Sequence, residues 1–157
     1  MVKSNSPTRL SRIDKRVILT QTDTTVGFLS QDTALLREIK SRQSDKPFIK
    51  VFQTIKALQN SHIRIPNSKK NLLRRAKQTT FIVKEQAFRV AKTPLHSELL
   101  RAADWNYSTS ANASGKNFQR DFCEQKADII IENKDGLYEG RASKLYKINN
   151  AQIKRLR

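Results

Sequence analysis

Two stretches of this chain carry residue types that bind phosphates. In the first, Lys40-Ser41-Arg42 is followed closely by Lys46-Pro47 and lies where a predicted helix ends. At such an end, residues two apart can reach the same side, and an ammonium beside a forked guanidinium suits a polyphosphate. The alternative is that these cations only favour the helix macrodipole, and on spacing alone this alternative is preferred.

The second stretch is Thr109-Ser110-Ala111-Asn112-Ala113-Ser114-Gly115. Small hydroxyl and amide side chains that end in a glycine let the backbone approach a phosphate or carboxylate closely. The same composition is typical of an ordinary Ser/Asn-rich turn. By itself this stretch therefore indicates an anion site without establishing one.

A third polar stretch, from Thr20 to Gly27, joins two predicted strands and holds the carboxylate of Asp23. Hydroxyls and a carboxylate between strands can bind a small polar ligand. Threonine is also a common strand residue, so the pattern alone is weak.

Several familiar site types are excluded by the sequence. It has only four glycines, and neither Gly-x4-Gly-Lys-Ser/Thr nor Gly-x-Gly-x-x-Gly nor Gly-x-Ser-x-Gly occurs. His62 and His96 are far apart without an acidic partner at ligand spacing, and both are predicted as surface or cap-region residues. Cys123 is predicted to pack inside a helix.

The formal charge of +17 is unevenly distributed. Residues 61–92 hold nine Lys and Arg against one acid, Glu85, and residues 141–157 hold six with no acid. Such clusters attract polyanions, which predicts contact with RNA, such as tRNA, or with ATP. The alternative is a solvated basic surface.

Composition also bounds the class of protein. The 157 residues suffice for one domain with a core, and no apolar run approaches the roughly 20 residues of a membrane span. The single cysteine excludes an intrachain disulfide, so a reducing, cytoplasmic location is the default prediction.

Hydrophobic patterning predicts a mixed α/β fold. Residues 1–16 are predicted as a loose basic leader and 17–157 as a single domain. Helices are expected after a cap at Asp32 and after Thr93-Pro94, where Thr93 would cap and Leu95, Leu99 and Leu100 would be buried. Further helices are expected at 55–58, from 66–68 and around 118–123, and strands at 17–19, 26–29, 48–52, 79–83, 87–91, 127–131 and, last, 145–148.

Five segments in order resemble one known family. Ser-Thr-Ser-Ala-Asn-Ala-Ser-Gly at 108–115 resembles the YrdC/YciO signature Ser-Thr-Ser-Ala-Asn-x-Ser-Gly almost letter for letter. The similarity runs from about Val17 to Ile148. The other matching segments are 39–48 (Lys-Gly-Arg-Pro and Lys-Pro-Leu in the family), 22–27 (Thr-Glu-Thr-x-Tyr-Gly), 88–95 (Val-Arg-Val-Pro-x-His-Pro-Leu), and 127–130 with 143–145 (the later strand and a Ser-Thr-Val ending).

The resemblance implies a twisted mixed sheet flanked by helices, with a concave, positive cavity. It implies synthesis of threonylcarbamoyl-adenylate from L-threonine, bicarbonate and ATP with Mg²⁺. Other tRNA-modification proteins then transfer the threonylcarbamoyl group to N6 of adenosine 37 in tRNA.

The resemblance also assigns residues. Lys40, Arg42, Ser110 and Asn112 correspond to the set that holds the nucleotide phosphates and supports catalysis. Arg89 and Ser143 match further nucleotide-pocket positions, and the substrate side is assigned to Thr22, Asp23 and Thr109.

The chain departs from the family pattern mainly on the threonine side. Prolines are replaced at Gln21, Gln43 and Ala91, Asp23 stands where many members have glutamate, and Val26 replaces an aromatic. Two hypotheses therefore stay open: an active synthase, or a non-catalytic RNA- or nucleotide-binding module on the same fold.

Overall fold

The computed structural model describes residues 2–4, 15–41, 47–101 and 103–157. The described strands are β1 (Val2–Ser4), β2 (Ile18–Gln21), β3 (Val26–Ser30), β4 (Ile49–Phe52), β5 (Thr79–Val83), β6 (Gln86–Val90), β7 (Trp105–Ser110), β8 (Ile129–Ile131), β9 (Lys144–Ile148) and β10 (Ile153–Arg155). The described helices are α1 (Thr33–Lys40), α2 (Ile55–Gln59), α3 (Lys70–Arg75), α4 (Pro94–Leu100) and α5 (Arg120–Lys126), and a 3-10 turn at Asn67–Lys69 precedes α3.

All ten strands form one sheet in the order β1-β8-β2-β3-β7-β4-β6-β5-β9-β10. Three pairs are parallel (β2 with β8, β4 with β6, β5 with β9), and the other pairs, such as β2–β3 and β3–β7, are antiparallel. The predicted mixed α/β fold is confirmed.

One face of the sheet carries the core. Two clusters of buried apolar side chains lie on it, one centred on Phe52, Phe81 and Phe88 and the other on Leu19 and Phe28. Leu58 and Leu73 bring α2 and α3 onto the first cluster; Leu36 and Cys123 bring α1 and α5 onto the second. Burial of apolar area against these helices stabilises the sheet.

The opposite face is more polar. Residues paired across neighbouring strands share a face, and Thr20, Gly27 and Ser110 lie opposite one another across β2, β3 and β7. Among the described helices, α4 packs on this face. Its Leu100 side chain is buried against Val51 and Ala91. The face next to α4 is therefore where a ligand can reach the sheet.

Four strands differ from the sequence prediction. Val2–Ser4 pair with β8, so this part of the leader is not loose, and β10 follows the strand predicted as the last. The Ser/Thr-rich stretch is not all turn, because 105–110 form β7 between β3 and β4. The predicted strand at 127–131 is shorter, starting at Ile129.

Helix α4 also differs. His96 was predicted as a surface or cap-region residue, and it does lie in the first turn of α4, but its side chain is fully buried, while Leu95 and Leu99 are half-buried. Thr93 occupies the cap position without capping through its own side chain. The cap predicted at Asp32 is confirmed, since its Oδ1 accepts a hydrogen bond from Ala34 N at 2.9 Å.

Candidate functional site

The side chain of Lys40 connects the end of α1 to the end of β7. Its Nζ donates hydrogen bonds to the carbonyl oxygens of Ser110 (2.9 Å) and Asn112 (2.8 Å), and to Asn112 Oδ1 (2.8 Å). Lys40 is only 4 % exposed. Ser41, in the left-handed conformation, ends α1 directly behind it. The structure thus brings together three of the four residues predicted to hold phosphates.

The loop after β7 is held in shape by Asn112. Ser110 Oγ donates to Asn112 Oδ1 at 2.6 Å, and Asn112 Nδ2 donates to the carbonyl of Lys116. Ser110 itself is exposed. Its hydroxyl is therefore both oriented and accessible, as a preorganised ligand contact requires. The fourth predicted residue, Arg42, lies outside the described residues, as do Gln43 and Lys46.

A cavity of about 250 Å³ opens beside this cluster on the polar face. Gly27 lies in its wall, where a Cβ would come within 3.0 Å of both the Thr109 carbonyl oxygen and Thr22 Cγ2. The absence of a side chain there keeps room for a ligand. The lining residues are Thr22, Thr24, Thr25, Gly27, Pro47, Phe48, Ile49, Arg89, Ser108, Thr109, Ser110, Ala142, Ser143 and Arg157.

Thr22 shapes the turn between β2 and β3. Its Oγ1 donates to the Thr25 carbonyl at 2.7 Å. Thr25 Oγ1 in turn accepts from Gly140 N at 3.0 Å, and Val26 N donates to the Tyr138 carbonyl at 3.1 Å. The segment before β9 thereby closes the turn from outside.

Arg89 supplies a buried cation to the cavity wall. It is 4 % exposed, and its Nη1 donates to Thr24 Oγ1 at 3.1 Å. Its Nε has no hydrogen-bond partner among the described residues. Burial lowers the pKa of the guanidinium, and the nearby Asp23 carboxylate opposes this effect. A buried cation with an unused donor fits an anionic ligand.

Ser143 and Arg157 form the third side of the cavity. The Ser143 hydroxyl lies 2.8 Å from Thr80 Oγ1, and Arg157 Nε donates to the Ser143 carbonyl at 3.0 Å. The sequence reasoning assigned Ser143 but missed Arg157. In the sequence, Arg157 is marked only as one of the cations of the acid-free segment 141–157, and this does not distinguish it from the other five.

Asp23 is not a contact of the cavity. Its Oδ2 accepts from Lys92 N at 2.6 Å, and its Oδ1 accepts from Thr93 N (3.0 Å) and Thr93 Oγ1 (2.7 Å). The carboxylate therefore connects the β2–β3 turn to the two residues that precede α4. The predicted substrate contact of Asp23 has no geometric support, because its oxygens face α4.

His96 completes the Asp23 cluster. Its Nδ1 lies 3.5 Å from Asp23 Oδ1. Burial raises the pKa of Asp23, but the His96 and Thr93 donors outweigh burial, and the pKa is held well below its ordinary value. Burial dominates for the imidazole and lowers the pKa of His96, with Asp23 acting against it.

The arrangement suits binding of a small anion with polar groups. Arg89 and Arg157 contribute positive charge to a wall of hydroxyls, and Lys40 contributes more through Ser110. The described residues hold no group of three or more His, Cys, Asp or Glu that could bind a metal ion. No described helix is long and apolar enough to cross a membrane.

Comparisons with known proteins bear on the family and the fold of the chain. The Sua5/YciO/YrdC family model, described as Telomere recombination, matches residues 14–157. No curated protein matches the chain significantly in sequence.

Solved structures share the fold. P. abyssi Sua5 complexed with L-threonine has 19% identity and a TM-score of 0.75, over 90% of this chain and 50% of that one. E. coli YciO has 20% identity and a TM-score of 0.71, over 90% and 82%. Full-length HypF in the phosphate- and nucleotide-bound form has 14% identity and a TM-score of 0.75, over 100% and 25%. The chain spans about half the length of the Sua5 structure.

Proposed function

Since the chain belongs to the Sua5/YciO/YrdC family, we propose that it makes threonylcarbamoyl-adenylate and pyrophosphate from L-threonine, bicarbonate and ATP. The product would serve N6-threonylcarbamoylation of adenosine 37 in tRNA, completed by other tRNA-modification proteins. A cytoplasmic location belongs to this proposal.

The observation that carries the proposal is the contact of Lys40 with Ser110 and Asn112 beside the cavity. Two similar structures add support: the Sua5 structure contains L-threonine, and the HypF structure is in a phosphate- and nucleotide-bound form. The cavity's cations and hydroxyls match the anionic groups of both kinds of ligand.

The proposed reaction needs little covalent participation from the protein. Bicarbonate takes up a proton and loses water to give CO₂, which the threonine amine captures as a carbamate with release of a proton. A carbamate oxygen then bonds to the α-phosphorus, and the bond between the α-phosphorus and the leaving pyrophosphate breaks. Positioning and neutralisation of charge supply the catalysis. Lys40 and Arg42 would neutralise phosphate charge, while Ser110 and Asn112 would orient it. Mg²⁺ would bind together with ATP and neutralise phosphate charge.

The remaining cavity residues divide between the two ligands. Arg89 and Ser143 would complete the nucleotide pocket. Thr22 and Thr109 would contact L-threonine, since both line the cavity next to Gly27. Asp23 would not contact the ligand itself. It would position Thr22 by holding the β2–β3 turn against the residues before α4.

The test is pyrophosphate release from ATP by the purified protein, with L-threonine and bicarbonate added together, singly or not at all. We expect release only with both, and threonylcarbamoyl-adenylate detected by mass spectrometry. ATP binding without turnover would instead favour the alternative, a non-catalytic nucleotide- or RNA-binding module on the same fold.

A further inference from the structure

The core face of the sheet is not covered as far as its last strand. Leu73 brings α3 onto Phe81 of β5, and beyond β5 the strand order continues with β9 and β10. There Tyr146 pairs with Phe81, and Ile153 pairs with Ile148. Phe81 and Ile148 belong to the core cluster, and residues paired across neighbouring strands share a face, so Tyr146 and Ile153 lie on the core face as well. Ile153 is nevertheless 45 % exposed, which shows that this end of the face is open.

A groove of about 460 Å³ lies at this open end, between α3 and the strands β9 and β10. Its apolar lining consists of Leu72, Ala76, Phe81, Tyr146 and Ile153. Leu72 on the helix side and Ile153 on the strand side are two of four large apolar side chains that are exposed in the described part of the chain. Exposed apolar side chains gathered in one place indicate an interaction surface.

The groove and the small-molecule cavity lie on opposite faces of the sheet. Ser143 lines the cavity, and its hydroxyl lies 2.8 Å from that of Thr80 in β5. Successive side chains of a strand point to opposite faces, so Thr79 and Phe81 project away from the side that Thr80 occupies. Both line the groove, and Lys144, which pairs with Thr79, lines it too. A partner in the groove therefore leaves the cavity accessible.

The open end of the face has the width of one helix. Neighbouring strands are about 4.8 Å apart, so β9 and β10 extend the sheet by roughly 10 Å beyond β5. An α-helix with its side chains is about 10 Å across, and packed helices lie 8–10 Å apart, so a helix beside α3 would cover both strands. None of the five described helices occupies this place, because α1, α2, α3 and α5 pack on the two core clusters and α4 packs on the opposite face.

The charge of the groove selects among possible partners. Its charged lining residues are Arg75, Lys77 and Lys144, all exposed and without an ion pair to any described residue. Acidic side chains on a partner would match these cations, and such complementarity favours that partner over one of like charge. A second copy of this chain would bring another +17 to the contact. A nucleic acid backbone would use the cations and leave Leu72 and Ile153 uncovered, because its contacts are made through phosphates and sugars.

We propose that this groove docks an acidic amphipathic helix of another protein. The apolar stripe of that helix, at spacings of three and four residues, would cover Leu72 and Ile153. Acidic residues on the flanks of the stripe would face Arg75, Lys77 and Lys144. The docking does not depend on the proposed function, since the groove and the cavity lie on opposite faces.

The test is fluorescence anisotropy with a labelled peptide of about 18 residues, which has leucines at the spacing of one helix face and glutamates on both flanks. A permuted peptide of the same composition keeps the charge and lacks the stripe, and a third peptide carries lysine in place of glutamate. Near ~0.1 M KCl we expect the first peptide to bind at least about tenfold tighter than either of the others, with a gain of helicity in circular dichroism.

The apolar part of the groove is tested by Leu72→Ser with Ile153→Ser. Both side chains are already exposed, so the fold should tolerate the change. We expect this variant to bind the striped peptide at least about tenfold more weakly than the wild type, in low and in high salt. The matched control is Tyr138→Ser, which changes an exposed apolar residue outside the groove and should keep the wild-type affinity.

The charged part of the groove is tested by Arg75→Gln with Lys77→Gln and Lys144→Gln. We expect weaker binding of the striped peptide near ~0.1 M KCl and a difference from the wild type that largely disappears near ~1 M KCl, where charges are screened. The control removes the same charge beside β2 and β8, at the other end of the strand order, and should change the affinity far less. It consists of Lys15→Gln, Lys126→Gln and Lys134→Gln.

Each other occupant of the groove has its own outcome. Equal binding of the striped and permuted peptides, or unchanged binding in the Leu72→Ser, Ile153→Ser variant, would overturn the proposal. So would a wild-type dimer in sedimentation velocity, an RNA hairpin complex, or binding to phosphatidylglycerol vesicles, if that variant abolished it. Pyrophosphate release should be unchanged in both groove variants, and failure of the wild type to release pyrophosphate would count against the synthase alone.

Discussion

The ammonium of Lys40 lies 2.8 Å from the side-chain oxygen of Asn112, although the two residues are 72 positions apart. The contact joins the last residue of α1 to the loop after β7. It shows that Lys40 does more than favour the helix dipole, because a cation that served only the dipole would not need to be buried against another element. A phosphate-binding role for Lys40 stays a prediction.

Replacing Lys40 by methionine should weaken ATP binding by at least about tenfold, since an ammonium contact to phosphate is lost. The oxygens of Ser110 and Asn112 that accept from the ammonium also lose their donor, which should cost about 1–3 kcal/mol of stability. Calorimetric titration with ATP and urea unfolding measure the two effects. The control is Arg37→Met, an exposed cation on the same helix. Equal ATP affinity in wild type and Lys40→Met would remove Lys40 from the site.

Gly27→Ala should weaken L-threonine binding and lower stability by about 1–3 kcal/mol, because the new Cβ would meet a backbone carbonyl as well as Thr22. Calorimetry with L-threonine and urea unfolding would show both effects. Gly115→Ala is the matched control. Gly115 has a φ of +74° with nothing within 4 Å, so alanine there should cost about 1 kcal/mol and leave L-threonine affinity intact. Unchanged L-threonine binding in Gly27→Ala would contradict the placement of the ligand.

Apolar patterning predicted the strands on either side of the site, but it failed at β7. Trp105 and Tyr107 pack against the two apolar clusters and alternate with Asn106 and Ser108, which are buried on the polar face, so polar residues occupy half of the buried positions and no apolar run marks the strand. The cavity requires the polarity that conceals the strand. His96 was missed for a related reason: its burial depends on Asp23, 73 positions away, which no local pattern contains.

Two departures from the family pattern have local explanations. Ala91 N donates to the Phe52 carbonyl at 2.9 Å, a bond that proline in its place would lose. Gln21 Oε1 accepts from Tyr138 N at 3.0 Å and so helps the segment before β9 to close the turn. These residues replace the family's prolines with hydrogen bonds that support the same elements.

The buried His96 should make stability pH-dependent. Its pKa is lowered in the fold, so the unfolded chain takes up this proton at a higher pH than the folded chain. Stability should therefore fall as the pH drops below about 6.5, by at most about 1.4 kcal/mol per pH unit for this group. The lowered pKa of Asp23 acts in the same direction but only below about pH 4.

Urea unfolding between about pH 4.5 and 7.5 isolates the His96 contribution. His96→Gln should flatten the dependence across this window, whatever its effect at pH 7. His62→Gln, at an exposed histidine, should keep the wild-type slope. A wild-type slope in His96→Gln would show that other groups titrate there.

The β5–β6 turn offers a prediction about the backbone. Lys84 and Glu85 both have positive φ, 45° and 65°, a conformation that two-residue hairpins require and that favours glycine at the second position. Glu85→Gly should therefore raise Tm by roughly 3 °C, because its exposed contact with Lys147 contributes little in return. Calorimetric scanning at one protein concentration measures the shift. Glu85→Gln removes the same charge while keeping the unfavourable φ, so its Tm should stay near wild type. A lower Tm for Glu85→Gly, or an equal rise in Glu85→Gln, would show that charge and not backbone conformation governs this turn.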